Sequence, residues 1–150
     1  MTRQDWLLVF VCLPVSGQKA RARLDPIRIM KGMFLFGQKS GLPVAEVYDF
    51  KPYLYGPCSF EIYGDLDSLV ASGLIAEERP WGQSWSLYSP TISGDGKVSW
   101  LQRQFFHGTL DTMRSIKEFV VSKSFSDLLR EIYKSYPEYA TKSLFSLAPS

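Results

Sequence analysis

The chain contains no asparagine, one histidine and two cysteines, and each scarcity removes a class of function. Without asparagine there is no N-glycosylation acceptor, and turns fall to Gly, Pro, Asp and Ser. Cys12 and Cys58 cannot build a disulfide framework in a chain of 150 residues and lack the C-x-x-C spacing of a metal knuckle or redox pair. Both are therefore expected as buried free thiols. His107, beside Gly108, has no G-x-S-x-G elbow or metal-ligand cluster to work with, so no enzyme, metal or cofactor is expected. Long apolar runs are missing too: Trp6 to Val15 is about half the length of a membrane span. With Asp5 before it and no small-x-small cleavage pattern after Pro14, that run reads as a core helix of a cytoplasmic protein without a membrane partner.

What is present favours a packed globule. Hydrophobic residues make up 45% of the chain and aromatic ones 15%, against 21% charged residues and a net charge of +2. That balance excludes disordered and polybasic compositions and predicts one domain over residues 1–150. The near-neutral total conceals a segregation: residues 1–40 hold seven basic and two acidic side chains, residues 41–80 two basic and seven acidic. Either the two segments neutralise each other across the folded surface, or the basic one forms a patch for nucleic acid.

Local chemistry punctuates the chain. Asp25-Pro26 opens a helix running to about Gln38, in which Arg28, Lys31 and Gln38 leave only a narrow polar stripe. FKPYLYGPCSF, with its prolines, reads as an extended connector, a short strand or bend. From Ser59 the residues Ile62, Leu66, Leu69 and Val70 form one helical face, Glu61 falls in the first turn, and Gly73 ends the helix. Leu74 to Arg79 and Ser84 to Tyr88, around Pro80-Trp81-Gly82-Gln83, predict a hairpin with Trp85 and Leu87 on one face. Ser93-Gly94-Asp95-Gly96 reads as a chain break; it lacks the spacer between glycines and the Ser or Thr after Lys97 that a phosphate loop requires. Helical spacing follows over Val98–Phe106, Leu110–Val121 and, most clearly, Phe125–Tyr136, where Ser124 and Asp127 form a capping-box-like start.

Helix, short helix or bend, helix ending in Gly-Leu-Ile, then hairpin is the order of a winged helix-turn-helix. IYGDLDSLVASGLIAEER and YSPTISG resemble the third helix, the start of the wing and the segment after it in MarR- and PadR-type regulators, with Pro90 in place of an apolar residue. LDPIRIMKGMFLF, PYLYGPCSFEIYGDL and YKSYPEYATKSLF resemble the uncharacterised YwgA-like proteins over roughly residues 24–145, and more distantly the SocA-like (Panacea) antitoxin domains. The resemblance implies an α+β, mainly helical winged helix with a two-stranded wing, its core at about 24–92 and a C-terminal helical extension at about 97–145. The extension would cover the domain or form a homodimer surface.

Two functions then compete. A DNA-binding transcriptional regulator would insert the third helix into the major groove. That helix, however, carries Glu61, Asp65 and Asp67 and no Lys or Arg. Nucleic-acid contacts are therefore expected from Lys19, Arg21, Arg23, Arg28 and Lys31, and from Arg79 beside the wing-tip Trp81. A protein-interaction adaptor or antitoxin-like module would instead present Glu61, Asp65, Asp67 and Trp81, with Tyr53, Tyr55 and Phe60 from the connector. Tyr55, Tyr63 and Trp85 are expected in the core. Asp65 and Asp67, two apart on a helix, diverge and do not converge on one ion.

Overall fold

The structure, a computed structural model, describes residues 1–15 and 23–144; Lys19 and Arg21 lie outside the described residues. Helix α1 (Arg3–Cys12) starts in a capping box: the Thr2 hydroxyl accepts from the Asp5 amide at 3.1 Å, and the Asp5 carboxylate accepts from the Thr2 amide at 3.0 Å. Every residue from Trp6 to Leu13 is buried, as a helix apolar on all sides requires. Asp25 caps α2 (Pro26–Lys39) by accepting from the Arg28 amide at 2.8 Å.

After α2 the chain makes a hairpin of β1 (Lys51–Tyr53) and β2 (Gly56–Cys58), with Pro52 opposite Pro57. Helix α3 (Glu61–Ala71) follows and buries Ile62, Leu66 and Leu69. Gly73, at φ 75°, turns the chain out of α3 in the left-handed conformation open to glycine. A second hairpin pairs β3 (Ile75–Glu78) antiparallel with β4 (Leu87–Pro90). Leu24, just before α2, exchanges both backbone hydrogen bonds with Tyr88 of β4, at 2.9 and 2.8 Å. Helices α4 (Ile92–Leu101), α5 (His107–Ser122) and α6 (Phe125–Ser135) complete a mainly helical α+β protein, with six α-helices and two two-stranded antiparallel sheets among the described residues. No helix among these residues is long and apolar enough to cross a membrane.

Three local expectations change. Ser93 to Gly96 is the first half of α4, not a break, because Thr91 caps this helix by accepting from the Gly94 amide at 3.0 Å. In and just before β4 the inward positions are Tyr88 and Ser86, so Trp85 stands out in solvent at 49% exposure. The Leu24 bridge fixes this register, and alternation does the rest. Of the thiols, Cys12 is buried but Cys58 is only half-buried.

One continuous core runs from Trp6 to Tyr133, so α1 and the C-terminal helices share it with α2 and α3. On α6 the stripe Leu128, Leu129, Ile132 and Tyr133 is buried within the single chain, so this face of the extension covers the domain, the first of the two expected roles. Two lysines are buried with it. Lys117 donates to the carbonyls of Val11 and Leu13 at 2.9 and 2.7 Å, satisfying acceptors that the end of α1 leaves open.

Lys31 donates to the Pro57 carbonyl at 2.9 Å and so ties α2 to the first hairpin. Burial disfavours its ammonium form and lowers its pKa to about 8 from 10.5. Between those values the unfolded chain binds more protons than the folded one, so stability is expected to rise with pH there. Burial pushes the Tyr48 and Tyr88 hydroxyls and the Cys58 thiol up, and these groups reverse the trend at the alkaline end. Urea midpoints between about pH 7.5 and 9.5 should show a gain on the order of 1–2 kcal/mol. Lys31→Met should remove most of that gain; an equal rise in the variant would show that Lys31 is not its source.

Candidate functional site

Helix α3 meets the rest of the chain through two faces and leaves a third open. Its apolar face is sealed onto the core, and the face toward α1 is held by Arg3. The Arg3 guanidinium donates to Glu61 at 2.8 Å and to Asp65 at 3.2 Å, and lies 5.2 Å from the centre of the Tyr48 ring. Asp65 also accepts from the Tyr48 hydroxyl at 2.5 Å and from Gln4 at 3.4 Å. An arginine over an aromatic ring and paired with two carboxylates therefore offsets part of the negative charge in the N-terminal half of α3. Nothing local in the sequence marks Arg3 as a site residue, because its partners lie 58 and 62 positions away.

The open face carries Phe60, Tyr63 and Asp67, all exposed and spaced so that they share one side of the helix. Tyr53 of β1 adds a ring 5.1 Å from that of Phe60, which in turn lies 6.4 Å from that of Tyr63. Asp67 makes no ion pair among the described residues, and neither Tyr53 nor Tyr63 hydrogen-bonds through its hydroxyl there. On β3 beside it, Glu77 accepts from the Tyr88 hydroxyl at 3.2 Å; burial, Glu77 and Asp67 together push that hydroxyl up to about 12. Both charges that act on this hydroxyl are negative.

From Tyr63 the surface continues into a groove of about 570 Å³ between the start of α2, the tip of the first hairpin, the second hairpin and the start of α6. Tyr55, Trp85 and Phe125 line it with Tyr63, and the rings of Tyr55 and Phe125 meet nearly edge-on at 5.6 Å. Tyr55, Tyr63 and Trp85 are thus surface residues, 42%, 40% and 49% exposed, against the expectation of core positions. Tyr55 sits at a hairpin tip, and Tyr63 lies outside the Ile62, Leu66 and Leu69 face, so neither side chain reaches the core. Trp81 is fully exposed at the tip of the second hairpin, apart from this groove.

The cations expected to meet nucleic acid are mostly engaged. Lys31 is 2% exposed and bonded to a backbone carbonyl, which corrects its assignment as a phosphate contact. Arg28 is part-buried, donating to Asp25 at 2.6 Å and to the carbonyls of Val120 and Lys123 at 3.2 and 2.7 Å, where it fastens the end of α5. Arg23 is exposed but paired with Glu78 at 2.6 Å. Arg79 is exposed and makes no ion pair among the described residues. Part of the charge segregation is thus neutralised across the surface, through Arg3 and Arg23.

No group of acidic, His or Cys residues among the described ones could hold a metal ion. His107 is exposed at the head of α5. Compared with known proteins, the chain matches no family model and no curated sequence.

Proposed function

We propose that the chain is a protein-interaction module, an adaptor or antitoxin-like protein, built on a winged-helix scaffold that engages its partner through the open face of α3. The scaffold reading is supported by topology: α1, the Leu24 bridge to β4, α2, α3 and then the β3–β4 hairpin follow the winged-helix order. In that reading α1, not α2, is the first helix of the motif, so the motif begins well before the expected boundary near residue 24, and the first hairpin is an insertion between the second and third helices. The single observation that carries the interaction reading is the exposed run of Phe60, Tyr63 and Asp67 on a third helix without Lys or Arg. Exposed aromatic residues are the usual anchors of protein interfaces. A phosphate-lined groove would bring like charges together on the same face.

The runner-up is DNA binding, favoured by the same topology and by Arg79 near the second hairpin. The two separate on charge reversal. Asp67→Lys adds a cation to the open face without touching the Arg3 cluster. Duplex DNA titrated at several salt concentrations is expected to bind the native chain no better than non-specifically, with Kd about 10⁻⁶ M or weaker at physiological salt. Asp67→Lys should tighten that binding with a steeper salt slope, while weakening a protein partner isolated by cross-linking through residue 63. Submicromolar duplex binding by the native chain, lost on Arg23→Ala with Arg79→Ala, would decide for the regulator.

A further inference from the structure

We infer that the open face of α3 receives an arginine-bearing segment of the partner, held with its guanidinium on the Phe60–Tyr63 rings and paired with Asp67. This rests on the interaction reading above and adds the chemistry of what is bound. The chain supplies its own precedent on the other side of the same helix, where Arg3 lies 5.2 Å from the centre of the Tyr48 ring and pairs with Glu61 and Asp65. The open face repeats the components, aromatic rings followed by a carboxylate, without the cation: Asp67 has no ion pair among the described residues. Glu77 on the neighbouring strand, which accepts from the Tyr88 hydroxyl, carries a further negative charge on this side of the molecule. At Asp67 charge complementarity therefore asks for a positive occupant, and the exposed rings ask for one that stacks; in the groove beyond, the charge of Arg28 is offset by its ion pair with Asp25.

Arginine meets both demands better than lysine. Its guanidinium is planar, weakly hydrated and able to donate two parallel hydrogen bonds to one carboxylate while lying on a ring face; an ammonium is a compact, strongly hydrated point charge. The groove that begins at Tyr63 gives the rest of an extended segment a place to lie. Along it Tyr55 and Trp85 carry O–H and N–H donors that no described residue accepts from, suited to the carbonyls of an extended backbone. A neutral apolar segment would leave Asp67 facing it without compensation, and an acidic one would be repelled.

The test uses the full chain and four fluorescein-labelled peptides of about ten residues, alternating Gly-Pro with Arg, Lys, Gln or Glu, followed by anisotropy. The expected result is saturable binding of the arginine peptide, at least about threefold tighter than that of the lysine peptide. Tyr63→Leu and Asp67→Asn should each weaken it by at least about threefold, with thermal melts unchanged. Asp67→Lys should reverse the preference toward a glutamate version of the peptide, a change that mere loss of structure cannot produce. No saturable binding, equal affinity for arginine and lysine, or indifference to either residue 63 or 67 would overturn the inference. Binding of the glutamine peptide as tightly as the arginine one, still lost in Tyr63→Leu, would overturn the arginine chemistry and leave the α3 face as an interaction surface. A partner cross-linking only outside that face would instead remove the interaction reading itself.

Discussion

Truncating Leu129 to Ala is expected to lower the free energy of unfolding by about 2–5 kcal/mol, the range for a large aliphatic side chain removed from a packed interior. Leu129 is fully buried in the middle of α6, between Leu128 and the pair Ile132 and Tyr133. Around it α6 packs on β2, and the Tyr133 ring lies so close to Gly56 that a β-carbon there would sit 3.0 Å from it. The Tyr133 hydroxyl donates to Ser143 at 2.5 Å and holds the segment after α6 in place. Such a site has little freedom to collapse around a deleted isobutyl group, which argues for the upper half of the range. Urea unfolding followed by circular dichroism measures it. An unchanged midpoint would mean that α6 is a peripheral attachment, and would free its apolar stripe for a second copy of the chain.

Features that neighbours encode within three or four residues were legible in the sequence. Asp25 before Pro26, Gly73 after Val70, and Ser124, which accepts from the Asp127 amide, each cap their helix as expected, although the Asp127 carboxylate pairs with Arg130. Their chemistry is local, an oxygen meeting a free amide or a backbone turning left-handed. What the sequence hid depends on contacts across long separations. Lys31 belongs on a polar stripe by helical spacing, but the Pro57 carbonyl, 26 positions on, draws it into the core. Arg28, read as a cation for phosphate, spends its donors on carbonyls 92 and 95 positions away. The acidic character of α3 and the exposure of Trp81 were visible from residue type and turn chemistry. That Arg3 takes Glu61 and Asp65 while leaving Asp67 open could not be read, because nothing local relates residue 3 to α3.

Gly94→Ala and Gly96→Ala, two positions apart in α4, are expected to change stability in opposite directions. On helix propensity alone both should help, since alanine is favoured over glycine within a helix by roughly 0.8–1 kcal/mol. At Gly96 nothing lies within 4 Å of an added β-carbon, so that gain should appear almost in full. At Gly94 the same carbon would fall 2.0 Å from the Leu74 carbonyl oxygen and 3.3 Å from the Cys12 sulfur. The oxygen cannot retreat easily: Thr91, which also accepts from the Gly94 amide at 3.0 Å, donates to Leu74 at 3.0 Å and to Gly73 at 2.7 Å. Helix α4 is thus clamped onto the corner where α3 turns into β3, and a side chain between them must push the two apart. Overpacking of a tight contact costs about 1–3 kcal/mol, toward the upper end when backbone must move, which outweighs the propensity gain and leaves a net loss of about 1–2 kcal/mol. Thermal unfolding of the two variants beside the native chain checks the signs. Stabilisation by both would mean that α4 does not rest on that corner, and the placement of the second hairpin beside the open face of α3 would lose its support.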